Sequence, residues 1–446
     1  MRAKLLLIFT LAVLVVASPV IAAPKVQLQP CSTWDYDMVN LEKVGPQYTG
    51  KGVYVAVLDT GLAPNWKDYF PKDRIATSLG KGFEEVLTWD QKTGELIETG
   101  KIIETTYIGS TGSTHGTHVV STILGYNYYS PFDAAAGFPL PPIFIKGIAP
   151  DVTIIPIKVL SDYHIPYAHS GGGEYGDLVF GTDRAVAAGI DYATNLYIAG
   201  CRPMIITMSL GGPEPSPIIK DAIDRAIENG VIVVAAAGNE GEEGMSYPGA
   251  YDEVISVGSC GWTLEWRDPS NTSYFRLWWL QSPHYAFSDV AENDTSVIYI
   301  SDFSSRQLEG QHLDVVAPGS WVRGPYPGDP GYSHLPWWSN GYPALFRSIN
   351  PGNFYYLGGT SMATPHVTGI VALMLQKNPT LTQSEVENIL KSNALTIPPG
   401  SAWVYDLYDA SGAYAPGFYL RTWGADATGS GLVQADAALN AVPWQQ

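Results

Sequence analysis

Four apolar runs, each closed by a turn signal, constrain this chain more than any other feature. They read GVYVAVLD (52–59), VTIIPIKVL (152–160), PMIITMSL (203–210) and VIVVAAAG (231–238). A strand with one wet face alternates polar and apolar residues. These runs are almost continuously apolar, which predicts strands of a parallel sheet covered on both faces. Between and after them, 176–200, 216–229, 362–377 and 382–392 carry apolar residues at helical spacing. Strand–helix alternation predicts a doubly wound α/β fold, a mostly parallel sheet with helices on both faces and right-handed crossovers. In such sheets reactive groups collect at the carboxyl ends of strands. Asp59, Ser209 and Asn239 fall at or just past such ends.

Three regions do not fit that core: about 84–107, about 126–146, and two aromatic tracts in about 262–300 and 320–356. The tracts hold LWWLQSPHY and LPWWSNGYP and read as ordered, inserted loops packed on the domain surface. At 446 residues, 46% hydrophobic and 15% charged, the chain is globular. Its formal net charge of −18 argues against a nucleic-acid backbone or an anionic membrane as partner. The amino terminus has basic Arg2 and Lys4, an apolar stretch and small residues, the layout of an export signal cleaved near Ala22 or Ala23. The apolar run is nearly long enough to span a bilayer, so an uncleaved anchor is the other reading. The expectation is a signal over 1–23, one domain over 24–446, a secreted location, and no membrane partner after cleavage. Cys31, Cys201 and Cys260 are too few for a disulfide scaffold and leave at least one unpaired. Asn271 and Asn293 head sequons that could be glycosylated after export.

The chemistry starts at Asp59, in VAVLDTG. Asp-Thr-Gly suits an aspartic protease, the orienting acid of a Ser-His-Asp triad, or a strand-end turn. The first needs a second Asp-Thr/Ser-Gly in one chain, and none occurs among the 446 residues. Downstream come STHGTHVVSTILG (113–125) and GGTSMATPHVTGIVALML (358–375). Nucleophilic serine catalysis needs a base to take the hydroxyl proton and an acid to hold that base in one tautomer. Asp59, His115 and Ser361 supply those groups, each beside glycine, which lets a substrate backbone approach closely. Ser361 is expected at a helix start, where free N–H groups favour negative charge, with Pro365 in the first turn.

These motifs resemble the subtilisin-like serine proteases, the subtilases, over most of the chain. VAVLDTG matches the acid segment, HGTHV the base and GTSMATPHV the nucleophile, while AAAGNEG (235–241) matches the oxyanion segment. The resemblance implies Asp59, His115 and Ser361 as catalytic residues, with Asn239 and Ser361 forming the oxyanion hole. SLGG (209–212) and SGGG (170–173) match the edges that hold an extended peptide, implying Ser209, Leu210, Gly211, Ser170, Gly171 and Gly172 as substrate-binding. The pocket for the side chain before the scissile bond is implied between 209–211 and Ala236, Ala237 and Gly238, with Ser246 near its floor. Glu240, Glu242 and Glu243 are expected at its rim. FSSR (303–306), DVVAPG (314–319) and GSGLVQADAAL (429–439) match landmarks toward the end of the domain.

His118, three residues after His115, suggests a metal pair. No His-Glu-x-x-His is present, and packed core histidines are expected at His118 and His366. No metal is expected at the site and no cofactor for the chemistry. Many relatives fold a calcium loop after the base helix, but YNYYSPFDAAAGFPLPP offers only Asp133, whereas calcium prefers several oxygens. Structural calcium is therefore open but unsupported. Subtilases commonly carry a propeptide, yet WDYDMVNLEKVGPQYTGKG (34–52) already resembles a mature amino terminus, so none is expected between signal and domain. The implied activity is a monomeric endopeptidase acting on polypeptides, broad in specificity with large apolar residues preferred. The rivals are a catalytically silent peptide-binding protein of the same fold, and an exopeptidase whose aromatic loops block one end of the groove.

Overall fold

The computed structural model describes residues 33–444 except 91, 93–95, 110–112, 129–142, 168–173, 268–274, 277–280, 283–284, 287–289, 291–292, 328–336, 340–341, 344–353 and 409–413. The central sheet has nine strands: β1 (Tyr54–Asp59), β2 (Lys81–Trp89), β3 (Leu96–Thr105), β4 (Thr153–Lys158), β5 (Met204–Met208), β6 (Ile232–Ala236), β7 (Ile255–Trp262), β8 (Ile298–Ile300) and β9 (Val315–Pro318). Their order is β8-β7-β6-β5-β1-β4-β2-β3, with β9 alongside β7. Only the β2–β3 and β7–β8 pairings are antiparallel. The helices are α1 (Trp34–Met38), α2 (His115–Leu124), α3 (Asp183–Ile198), α4 (Pro217–Glu228), α5 (Thr360–Lys377), α6 (Gln383–Ser392) and α7 (Ala435–Ala441).

The four apolar runs form the four adjacent strands β6-β5-β1-β4. Successive residues of a strand point to opposite faces, so an all-apolar run feeds two cores. Val55, Val57, Ile205 and Val234 join a cluster with Val119 and Ile123 of α2 and Val367 and Ile370 of α5. Ala56, Leu58, Ile206 and Val233 join the other, with Val186 and Ile190 of α3 and Ile219 and Ile223 of α4. Each buried Val, Leu or Ile among them contributes about 1.5–3 kcal/mol relative to exposure. The helices that carry His115 and Ser361 thus lie on one face of the sheet, with β1 and β5 beneath them.

Two expectations need correction. The helix expected over 176–200 begins only at Asp183, where Thr182 caps it by accepting from the Ala185 N–H. Glu174–Phe180 instead pairs antiparallel with Ser161–Tyr167. A cross-strand partner outweighs helical spacing there, and Gly181 separates the two conformations. The 84–107 region is part of the sheet rather than outside it. Lys81 and Gly82 pair with Ile157 and Lys158 of β4, and β3 completes the edge. The second aromatic tract contains a small sheet in which Val322–Pro325 pairs with Phe354–Leu357.

Gln383 joins α6 to the sheet: its side chain accepts from the Val233 N–H at 2.8 Å and donates to the Val233 and Glu253 carbonyls. Replacing it with Ala strands the two buried backbone groups of Val233 and the half-buried Glu253 carbonyl. Urea denaturation should show Gln383→Ala less stable by about 3 kcal/mol, with activity per folded molecule retained.

Candidate active site

Asp59 ends β1 and is almost wholly buried. Its Oδ1 accepts from the Thr60 N–H at 2.6 Å, and both carboxylate oxygens lie 2.9 Å from His115 Nδ1. His115 opens α2. The turn after β1 is laced to that helix: Gly116 N–H donates to Thr60 Oγ1, and Ala63 N–H to Thr117 Oγ1. A Cβ at position 116 would stand 2.5 Å from the Gly61 carbonyl and 3.1 Å from Asp59. Only glycine lets the helix come this near. With Nδ1–H donating to the carboxylate, Nε2 is left as the accepting nitrogen. Burial disfavours the charged ring, but the Asp59 charge and hydrogen bond outweigh it and raise the His115 pKa above its ordinary value.

Ser361 is the second residue of α5. Helix starts leave N–H groups without intrahelical partners. Here Thr360 N–H donates to Asn239 Oδ1 at 2.8 Å and Met362 N–H to the Gly359 carbonyl, leaving that of Ser361 available. The contact also sets the Asn239 amide: Thr360 Oγ1 bonds the same Oδ1 at 3.0 Å, so Nδ2 is the donor end presented to the site.

Pro365 lies inside the helix, a turn beyond the expected position. Its missing N–H deprives the Ser361 carbonyl of an i+4 donor. Ser209 Oγ fills that place, donating to the Ser361 carbonyl at 2.9 Å, while Ser361 Oγ donates to the Ser209 carbonyl at 3.1 Å. The Ser209 side chain is thus bonded to residue 361, and Ser209 also lines the cavity beside Leu210 and Gly211. The described hydrogen bonds include none from Ser361 to His115, so the hydroxyl must turn from Ser209 to reach the base. Such contacts commonly tighten only with substrate bound.

The expected pocket walls are brought together. Ser246 N–H donates to the Ala237 carbonyl, and Gly212 and Tyr247 exchange backbone bonds. Ala236, Ala237 and Ser246 are buried, and Leu210 and Gly211 line a cavity of about 400 Å³ with His115, Tyr247 and Glu214. Ser170, Gly171 and Gly172 lie outside the described residues, as do 1–23, Cys31, Asp133 and Asn271. Glu240 is exposed, and its Oε2 accepts from Asn239 N–H, Ser246 Oγ and Ser305 Oγ at 2.7, 2.8 and 3.0 Å. A Cβ at residue 238 would meet that oxygen at 2.4 Å, and Gly238 also has φ +109°, so glycine is required. Glu242 and Glu243 are exposed as well.

His118 is a packed histidine. Burial lowers its pKa to about 3, and the neutral ring donates Nε2–H to the Val322 carbonyl. Among the described residues no group of three or more His, Cys, Asp or Glu side chains is placed to hold a metal ion. Thr60 and Thr360, both bonded to the site, escaped the sequence reading; their signal is a threonine beside each reactive motif, in Asp-Thr-Gly and Gly-Thr-Ser.

The sequence profile described as the subtilase family matches residues 50–413. The chain belongs to the subtilase family. Subtilisin DY of Bacillus licheniformis is 31% identical over 373 residues, covering 82% of this chain and 92% of the relative. Subtilisin NAT of Bacillus subtilis subsp. natto is 28% identical over 362 residues, covering 80% of this chain but 64% of the relative. The solved structure of Sphericase superposes with a TM-score of 0.52 at 23% identity, covering 92% of this chain and 99% of that one, a likeness of fold. This subtilase therefore has the doubly wound fold the sequence predicts.

A base must be neutral to accept a proton, so hydrolysis should rise with pH through the raised His115 pKa. Asp59→Asn removes the cause. The acid limb of the pH–kcat/KM profile should then move to lower pH, with kcat reduced by about 10⁴.

Proposed function

We propose that this subtilase is a secreted serine endopeptidase, one peptidase domain over residues 24–446 freed of a signal over 1–23. The observation that carries the reading is the pairing of Asp59 with His115 Nδ1 together with the orientation of Asn239 by Thr360. In the mechanism, His115 Nε2 takes the proton of Ser361 Oγ as it attacks the scissile carbonyl. Asp59 holds the ring in that tautomer and stabilises its cation. Asn239 Nδ2 and the Ser361 N–H receive the oxyanion, and the tetrahedral intermediate collapses to an acyl-enzyme as His115 protonates the leaving amine. Water, deprotonated by the same ring, releases the acid product. The chemistry needs no cofactor, and the working unit is a monomer acting on polypeptides. Among the described residues no helix is long and apolar enough to cross a membrane.

Small apolar walls favour large apolar side chains before the scissile bond. Glu240 is exposed beside the oxyanion segment with its Oε2 held by three donors, so it biases cleavage weakly toward cations. Glu240→Gln should lower kcat/KM for Lys substrates by about fivefold, the worth of ~1 kcal/mol, and leave Phe substrates unchanged. Lys substrates that win by orders of magnitude would overturn the apolar preference.

A fluorophosphonate should label Ser361 stoichiometrically, and Ser361→Ala should abolish both labelling and casein hydrolysis while the fold persists. An unlabelled, folded protein would be a silent peptide binder, and products confined to short terminal peptides would mark an exopeptidase. Asn239→Ala should lower kcat by about 10²–10³ with little change in KM, the loss seen when such a donor is removed from subtilisin.

A further inference from the structure

We propose that Asp35 is a positioning residue for the nucleophile, acting through His366. The inference rests on the reading of Ser361 as the nucleophile. It starts from α1, five residues that are all buried although two of them are acidic. This helix bridges the two helices that carry His115 and Ser361. Tyr36 Oη donates to the Thr122 carbonyl of α2 at 3.2 Å, and its ring lies 5.8 Å from that of His366 in α5. Asp35 Oδ2 lies 3.1 Å from His366 Nε2, across 331 positions of sequence. The other ring nitrogen, Nδ1, is 2.9 Å from the carbonyl of Met362, the residue after Ser361.

A carbonyl can only accept, so Nδ1 carries a proton and donates to Met362. The contact at Nε2 then needs one further proton, shared with the Asp35 carboxyl. The side chains are 0% and 5% exposed, and a buried charge of either sign is costly without its partner. Asp35 therefore fixes both the tilt of the ring and its hold on Met362.

The nucleophile turn depends on such help. Three successive carbonyls, Thr360, Ser361 and Met362, each receive a side-chain donor: Thr364 Oγ1 at 2.8 Å, Ser209 Oγ at 2.9 Å and His366 Nδ1 at 2.9 Å. Pro365 removes the backbone donor for the middle one. Of the three donors, His366 is the one braced from the amino-terminal end of the described chain. Releasing it lets the turn shift, and misplacement by about 1 Å costs up to about 10² in rate.

The test uses the full-length protein and counts active sites by fluorophosphonate burst. In Asp35→Asn, the number of titratable sites should be unchanged, kcat per site and labelling rate should both fall about tenfold, and KM should stay within about twofold. His366→Asn should match it, and the double variant should lose little more, because the two act as one unit. Tyr36→Phe, which removes the bond to Thr122 but keeps the ring beside His366, should lower Tm and spare kcat. A lower Tm in Asp35→Asn with unchanged kcat and labelling rate would overturn the proposal, as would additive losses in the double variant. If neither Asp35→Asn nor His366→Asn folds while Tyr36→Phe does, the pair is structural and the proposal is again overturned. Absence of hydrolysis and labelling in the unaltered protein would instead refute the peptidase reading.

Discussion

The approach of α2 to the end of β1 is the contact on which the site depends. Asp59 is fixed by the sheet and by the Thr60 N–H, and His115 by the first turn of the helix. Their 2.9 Å contact exists because position 116 carries no side chain. A buried carboxylate costs several kcal/mol unless hydrogen-bonded donors surround it. The same donors that meet this cost also orient the imidazole, so stability and geometry are served by one set of bonds.

The turn that carries Ser361 is arranged in a comparable way. A proline one turn into a helix leaves a carbonyl unpaired, and here the hydroxyl of Ser209 takes its place. Ser209 follows β5 directly, so the sheet rather than the helix sets where Ser361 sits. The oxyanion segment follows the neighbouring β6, and Asn239 reaches the same turn through Thr360. Three adjacent strands, β1, β5 and β6, thereby present Asp59, the Ser209 anchor of Ser361, and Asn239 from one end of the sheet. Carboxyl-end clustering in doubly wound sheets has this consequence.

Charge is distributed unevenly over this frame. The net charge of −18 is a surface property, yet two carboxylates are drawn inward and matched, Asp59 with His115 and Asp35 with His366, while exposed Glu240 is held by two serine hydroxyls and a backbone N–H. The edge of the sheet at β3 carries the opposite arrangement, with exposed Glu98, Lys101 and Glu104 on an open strand. Charges on an edge discourage pairing with another chain.

The sequence alone determined the four central strands of the sheet, because a strand covered on both faces leaves an uninterrupted apolar run, and it marked Asp59, His115 and Ser361 through the glycines and turn residues beside them and Asn239 through family resemblance. It misjudged 174–180 and 84–107, where helical spacing and irregular composition hid strands whose partners decide their conformation. It also placed Pro365 a turn too early. Those errors share a cause with the residues it overlooked, Thr60, Thr360 and Asp35. Local pattern reports burial and turn chemistry within a few residues. Which hydroxyl meets which carbonyl across 150 positions, or which carboxylate meets which imidazole across 331, is fixed only when the topology brings the segments together.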